Sequence, residues 1–145
     1  MRKITPAQLK QILDSHKQWI DSNGKDGERA DLSGVNLNLV DLSGASLSGA
    51  ILSETNFLGT NLSKADLSET NLARTDFWRA NLDEVNLSRA NLNEANLNEA
   101  ILSNTKLSEV DLSGTNLSGA FIDKRTVKTS SYSTEELISM GAEIG

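Results

Sequence analysis

From Ala30 to Lys124 the chain repeats one pattern every five residues: Leu, Phe or Ile at a central position, with Ala, Val or Thr two residues before it. Nineteen such units run without a break, their central residues extending from Leu32 to Ile122 and including Phe57 and Phe77. Five residues advance about 140° round an α-helix, so the central residues would spiral about the rod instead of forming one apolar stripe. On a flat strand, residues five apart alternate between faces, and neither face would be continuously apolar. Within a unit, however, the two apolar positions lie two apart and point the same way. Three residues remain to turn the chain, which predicts a coil closed on itself with one unit per side.

Charges two residues after the central position set the number of sides. Residues on successive coils of such a solenoid stack about 4.8 Å apart, where like charges repel. Four units per coil stack Glu54 with Arg74, Arg74 with Glu94, Lys64 with Glu84, Glu69 with Arg89, Arg89 with Glu109 and Arg79 with Glu99, all opposite in sign. Three per coil would set Glu54 on Glu69, Lys64 on Arg79 and Arg74 on Arg89, and five per coil gives a mixture. A twenty-residue register is therefore expected, with Phe57 stacked on Phe77.

The units A-D-L-S-G at 30–34, A-D-L-S-E at 65–69 and A-N-L-N-E at 90–94 and 95–99 resemble the pentapeptide-repeat family, whose units read roughly A-(D/N)-L-x-x. That resemblance implies an all-β solenoid, a right-handed quadrilateral β-helix. The stretch from His16 to Gly34 is similar to the lead-in of cyanobacterial members. Some relatives in this family bind DNA gyrase or another topoisomerase as DNA mimics, so the resemblance also carries that function as an alternative.

The expected organisation is an N-terminal helix and lead-in over 1–29, just under five coils over 30–124, and a C-terminal cap over 125–145. Thr5, Pro6 and Gln8 predict the start of a helix over residues 5–23, with Gly24 a suitable stop. Leu9, Ile12, Leu13, His16, Trp19 and Ile20 share one face of it, which is expected to lie across the first coil and cover an open sheet edge. Beyond the repeats, Ser133, Glu136 and Gly141 mark a short second helix with Leu137 and Met140 available for packing.

Composition narrows the chemistry. With 14 Lys and Arg against 20 Asp and Glu, the formal charge of −6 argues against direct binding of nucleic acid or an anionic membrane. There is no cysteine and one histidine, His16, so thiolate or polyhistidine metal sites and a catalytic triad are not expected. His16 reads as a core-facing helix residue, with a pH-sensitive end contact as the alternative. The recurring Asp and Asn before each central residue suit hydrogen bonds to the turning backbone rather than paired carboxylates. Thr55, Thr60, Thr70, Thr75, Thr105 and Thr115 fall at the inward position, which argues against an ice-binding face. No signal-peptide pattern or transmembrane-length apolar run is present, and the cytoplasm is the expected compartment.

These readings predict a non-catalytic scaffold without cofactor or metal, a monomer or an end-to-end dimer, whose partner is a protein the sequence does not identify. For the DNA-mimic alternative, the outward charges leave no face uniformly acidic. About 23 Å of β-helix is also short for a duplex mimic. The candidate interaction patch is Leu39, Leu58, Trp78 and Arg79. Leu58 and Trp78 occupy a position that is polar in most other units, and the register puts them on adjacent coils of one face. Leu39 falls on that face one coil earlier, and Arg79 borders Trp78.

Overall fold

The computed structural model describes residues 1–145. Parallel bridges join residues twenty apart, from Asp31 with Ile51, through Asp76 with Asn96, to Asn96 with Asn116. Twenty residues at five per side make a four-sided coil, so the register expected from the charges is that of the backbone. The sides are too short for extended strands, because each reaches a corner after one bridging residue. Only β1 (Ile101–Leu102), β2 (Phe121–Ile122) and β3 (Glu143–Ile144) pair over two residues, in one parallel sheet in that order.

Most corners are tight turns in which the central carbonyl accepts the N–H three residues on, as Leu52 does from Thr55 and Leu82 from Val85, both at 3.2 Å. The third residue of the turn must be left-handed, and Glu54, Arg74, Arg79, Arg89 and Glu94 hold φ between 57° and 61° there. A non-glycine residue pays about 1–2 kcal/mol for that conformation. Two sets of hydrogen bonds offset it. The Asp or Asn before the central residue accepts the N–H after it, as Asn56 does from Leu58 at 2.9 Å and Asp76 from Trp78 at 3.0 Å. The left-handed residue itself donates to the next coil, as Glu54 does to the Ala73 carbonyl at 2.9 Å.

Inside the coils the central residues form one buried column, with Phe57 and Phe77 stacked 5.2 Å apart at 13°. The inward threonines are buried without stranding their hydroxyls. Thr55 donates to the Leu32 carbonyl and Thr60 to that of Leu37, each at 2.8 Å, so the cost of burying a polar group is largely removed. Outside, Arg74 lies 3.7 Å from Glu54 and 3.2 Å from Glu94, Arg79 lies 2.7 Å from Glu99, and Arg89 lies 3.9 Å from Glu69 and 2.9 Å from Glu109. Lys64 and Glu84 share the register without forming an ion pair.

At the N-terminal end, α1 (Pro6–Asp21) begins with the Thr5 and Gln8 capping box. It buries Leu9 and His16 and half-buries Ile12, Leu13, Trp19 and Ile20. Arg2 adds one bridge beside the first coil, pairing with Val35. At the other end the sequence reading missed α2 (Lys124–Thr129), which Asp123 starts by accepting from the Thr126 N–H. The expected second helix is α3 (Thr134–Ser139), opened by the Ser133 and Glu136 capping box and burying Leu137. Gly141 follows with φ of 104°, its Cα so close to Ser118 that a Cβ would meet backbone at 2.8 Å.

Candidate protein-interaction face

The coils can be counted from Ala30, twenty residues each, and the candidate residues fall on the first three. Leu39, on the first, adopts φ of 61° at a corner where a charged residue or glycine is usual. The residue is 73% exposed and its side chain lies over Gly59 of the second coil, where an added Cβ would stand 2.7 Å from Leu39 Cδ2. Gly59 leaves room for that side chain, and its N–H donates to the Trp78 carbonyl on the third coil at 2.8 Å. Leu58 is half-buried and Trp78 is 37% exposed.

Arg79 stands over the Trp78 ring, its guanidinium carbon 4.9 Å from the centroid, a cation-π contact. The same guanidinium donates to Glu99 at 2.7 Å. That hydrogen bond holds the Glu99 carboxyl below its ordinary range. Arg79 is thus shared between an aromatic face and a carboxylate, and the patch carries no unbalanced charge of its own.

Two residues outside the expected set extend this edge of the rod. Ile101 and Phe121 follow Glu99 and Gly119 by two residues on the fourth and fifth coils, are 45% and 39% exposed, and bridge one another. The signal in the sequence is that Ile101 and Phe121 stand where most units carry Asp or Asn, giving up the corner hydrogen bond. Each of the five coils therefore carries an apolar side chain either at this corner, as Leu39, Leu58 and Trp78 do, or on the side that follows it, as Ile101 and Phe121 do.

The concavities lie elsewhere and are shallow. An open groove of about 430 Å³ runs between α1 and the lead-in, lined by Gln11, Ser15, Glu28, Arg29 and Asp31 among others. No group of three or more His, Cys, Asp or Glu side chains is arranged to hold a metal ion. No helix is long and apolar enough to cross a membrane.

A family model of pentapeptide repeats matches eight copies, over residues 23–49, 41–79 and 80–119. The crystal structure of a pentapeptide repeat protein from the cyanobacterium Cyanothece 51142 is 36% identical, with a TM-score of 0.53, and the match covers 70% of this chain and 66% of that one. A pentapeptide repeat protein from the Arabidopsis thaliana thylakoid lumen shares the fold at 23% identity and a TM-score of 0.57, over 77% of this chain and 70% of that one. HetL, a pentapeptide repeat protein involved in heterocyst differentiation regulation from Nostoc sp. strain PCC 7120, is 30% identical with a TM-score of 0.46, over 74% of this chain and 46% of that one. This chain thus spans from 46% to 70% of the lengths of these three proteins. No curated protein matches it.

Proposed function

The chain belongs to the pentapeptide-repeat family, and from that premise we propose that it is a non-catalytic scaffold holding a protein partner along one corner of a right-handed four-sided β-helix. The observation that carries this reading is the group of apolar residues from Leu39 to Phe121 at one corner and on the side that follows it, with Arg79 beside Trp78. Exposed apolar residues grouped in this way, with an aromatic and an arginine at the centre, are the features of a binding hot spot. The C-terminal segment serves as the cap that keeps one rod from stacking on another.

The test is capture of a partner from native extract. Leu58→Ser with Trp78→Ser is expected to keep the circular dichroism spectrum and lose at least tenfold in captured partner; undiminished capture would refute this face. Gyrase inhibition is not expected, since Arg74 and Arg89 interrupt the acidic columns. Inhibition in a supercoiling assay, weakening as salt rises, would put the DNA-mimic function in place of the scaffold.

A further inference from the structure

His16 is the single side chain that ties α1 to both ends of the first coil. It is fully buried. Its Nδ1 lies 2.9 Å from the Ala30 backbone nitrogen, where the coil begins, and its Nε2 lies 2.9 Å from the Ser48 carbonyl, where the coil closes. A backbone N–H only donates and a carbonyl only accepts, so the partners select one form of the ring. Nδ1 must be the bare acceptor and Nε2 must carry the proton.

We propose that this histidine makes the docking of α1 pH-dependent: neutral His16 holds the helix on the first coil, and a proton taken from solvent onto Nδ1 releases it. Protonation sets two N–H donors against each other at Ala30 and leaves a cation without a counter-charge in a buried position. The ring is stacked on Trp19, centroids 5.3 Å apart at 17°. Arg29 lies over the Trp19 ring, 6.0 Å from its centroid, and donates to the Gly49 carbonyl at 2.6 Å. Of the charged groups around α1, Arg29 repels an imidazolium. Glu28 and Asp31 line the groove beside Arg29, and Glu69 lies with Trp19 and Gly49 on the other flank; none of the three carboxylates hydrogen-bonds the ring.

Burial, followed by the Arg29 charge, holds His16 below the ordinary histidine value of 6.5, against the pull of its bond to the Ser48 carbonyl. The sign follows from which form binds more protons. Between 6.5 and the lower folded value the undocked ring is protonated and the docked ring is not, so the docking equilibrium is most favourable above 6.5 and weakens as pH falls through that window. One proton sets the steepness at about tenfold in the docking equilibrium per pH unit.

The test uses the full chain between pH 7.5 and 5. Amide protection of Ala30 and of α1, corrected for intrinsic exchange, is read beside the proton NMR titration of the His16 ring, and Trp19 emission is read in a Trp78→Phe background. The expected result is loss of Ala30 and α1 protection by about tenfold per pH unit, with a red shift of Trp19, at the midpoint of the His16 titration. Protection that stays constant while the ring titrates would overturn the proposal, as would a midpoint displaced from the ring's. His16→Gln supplies the same donor and acceptor without a titration, and is expected to remove the acid transition. A transition persisting in that variant would also overturn it. If His16→Gln leaves α1 undocked at pH 7.5, coincidence of the wild-type midpoints decides.

Discussion

The two ends of the rod meet the same physical problem with different means. Any end of a β-helix presents a ring of unpaired backbone groups, which template the addition of another chain. At the C-terminal end the chain answers them one side after another. Thr105 N–H donates to the Thr126 hydroxyl at 3.0 Å, Leu107 to that of Thr129 at 2.9 Å, Leu112 to that of Tyr132 at 3.0 Å, and Leu117 to the Met140 carbonyl at 3.2 Å. β3 then pairs with β2. At the N-terminal end α1 reaches the first coil chiefly through His16, and Arg2 adds one bridge. The inward residues Val40 and Ala45 remain half-exposed there, and the N–H groups of Asp41 and Ser46 have no protein partner. The lesson is that a helix laid across a coil end shields apolar side chains but leaves sheet edge open. A segment that follows the coil shields both.

The largest expected effect breaks the closed end. Removal of residues 125–145 frees the edge N–H groups of Thr105, Leu107, Leu112 and Leu117 at once, and the truncated chain is expected to assemble end to end at micromolar concentration. Light scattering after size exclusion checks this. A truncated chain that stays monomeric would mean that the C-terminal segment adds nothing the open N-terminal edge lacks. A smaller effect comes from one side of that end. Thr126→Val keeps the shape of a fully buried side chain but strands the Thr105 N–H and the Leu102 carbonyl, which lies 2.6 Å from the hydroxyl. The expected loss is about 1–3 kcal/mol in denaturant unfolding, with exchange at Thr105 accelerated before that of the middle coils.

The coil was legible in the sequence because its repeat leaves the chain few choices. Apolar residues five apart exclude helix and strand, and opposite charges twenty apart choose four sides; the Arg74, Arg79 and Arg89 pairs lie where that argument put them. What the same residues do to the backbone was not legible. Glu54, Arg74 and Arg89 sit in a left-handed conformation that their type disfavours, and only the corner hydrogen bonds account for it. α2 was missed because Lys124–Thr129 carries no apolar period, and its anchor is the Thr126 hydroxyl. Leu39, Leu58, Trp78 and Arg79 stand out by breaking the pattern in the two positions after the central residue. Ile101 and Phe121 break it just before the central residue, at the Asp or Asn position, where the pattern by itself signals only backbone support.

The smallest effect belongs to the middle coils, where neither end reaches. Arg74 lies between Glu54 and Glu94 with its side chain 64% exposed, and both carboxylates are as open. Exposed pairs of this kind contribute about 0–1 kcal/mol, and salt screens them. Arg74→Lys keeps the sign and is expected to be near neutral. Arg74→Glu places three carboxylates in one column and is expected to cost up to about 1 kcal/mol at low salt, shrinking towards zero as ionic strength rises. The left-handed φ of 58° is common to all three residue types, so it cancels in the comparison. Urea unfolding of the two variants at low and high salt separates them. If Arg74→Glu matched Arg74→Lys at low salt, the charge ladder would report the coil's register without stabilising it, and the difference between ends and middle would rest on backbone hydrogen bonds alone.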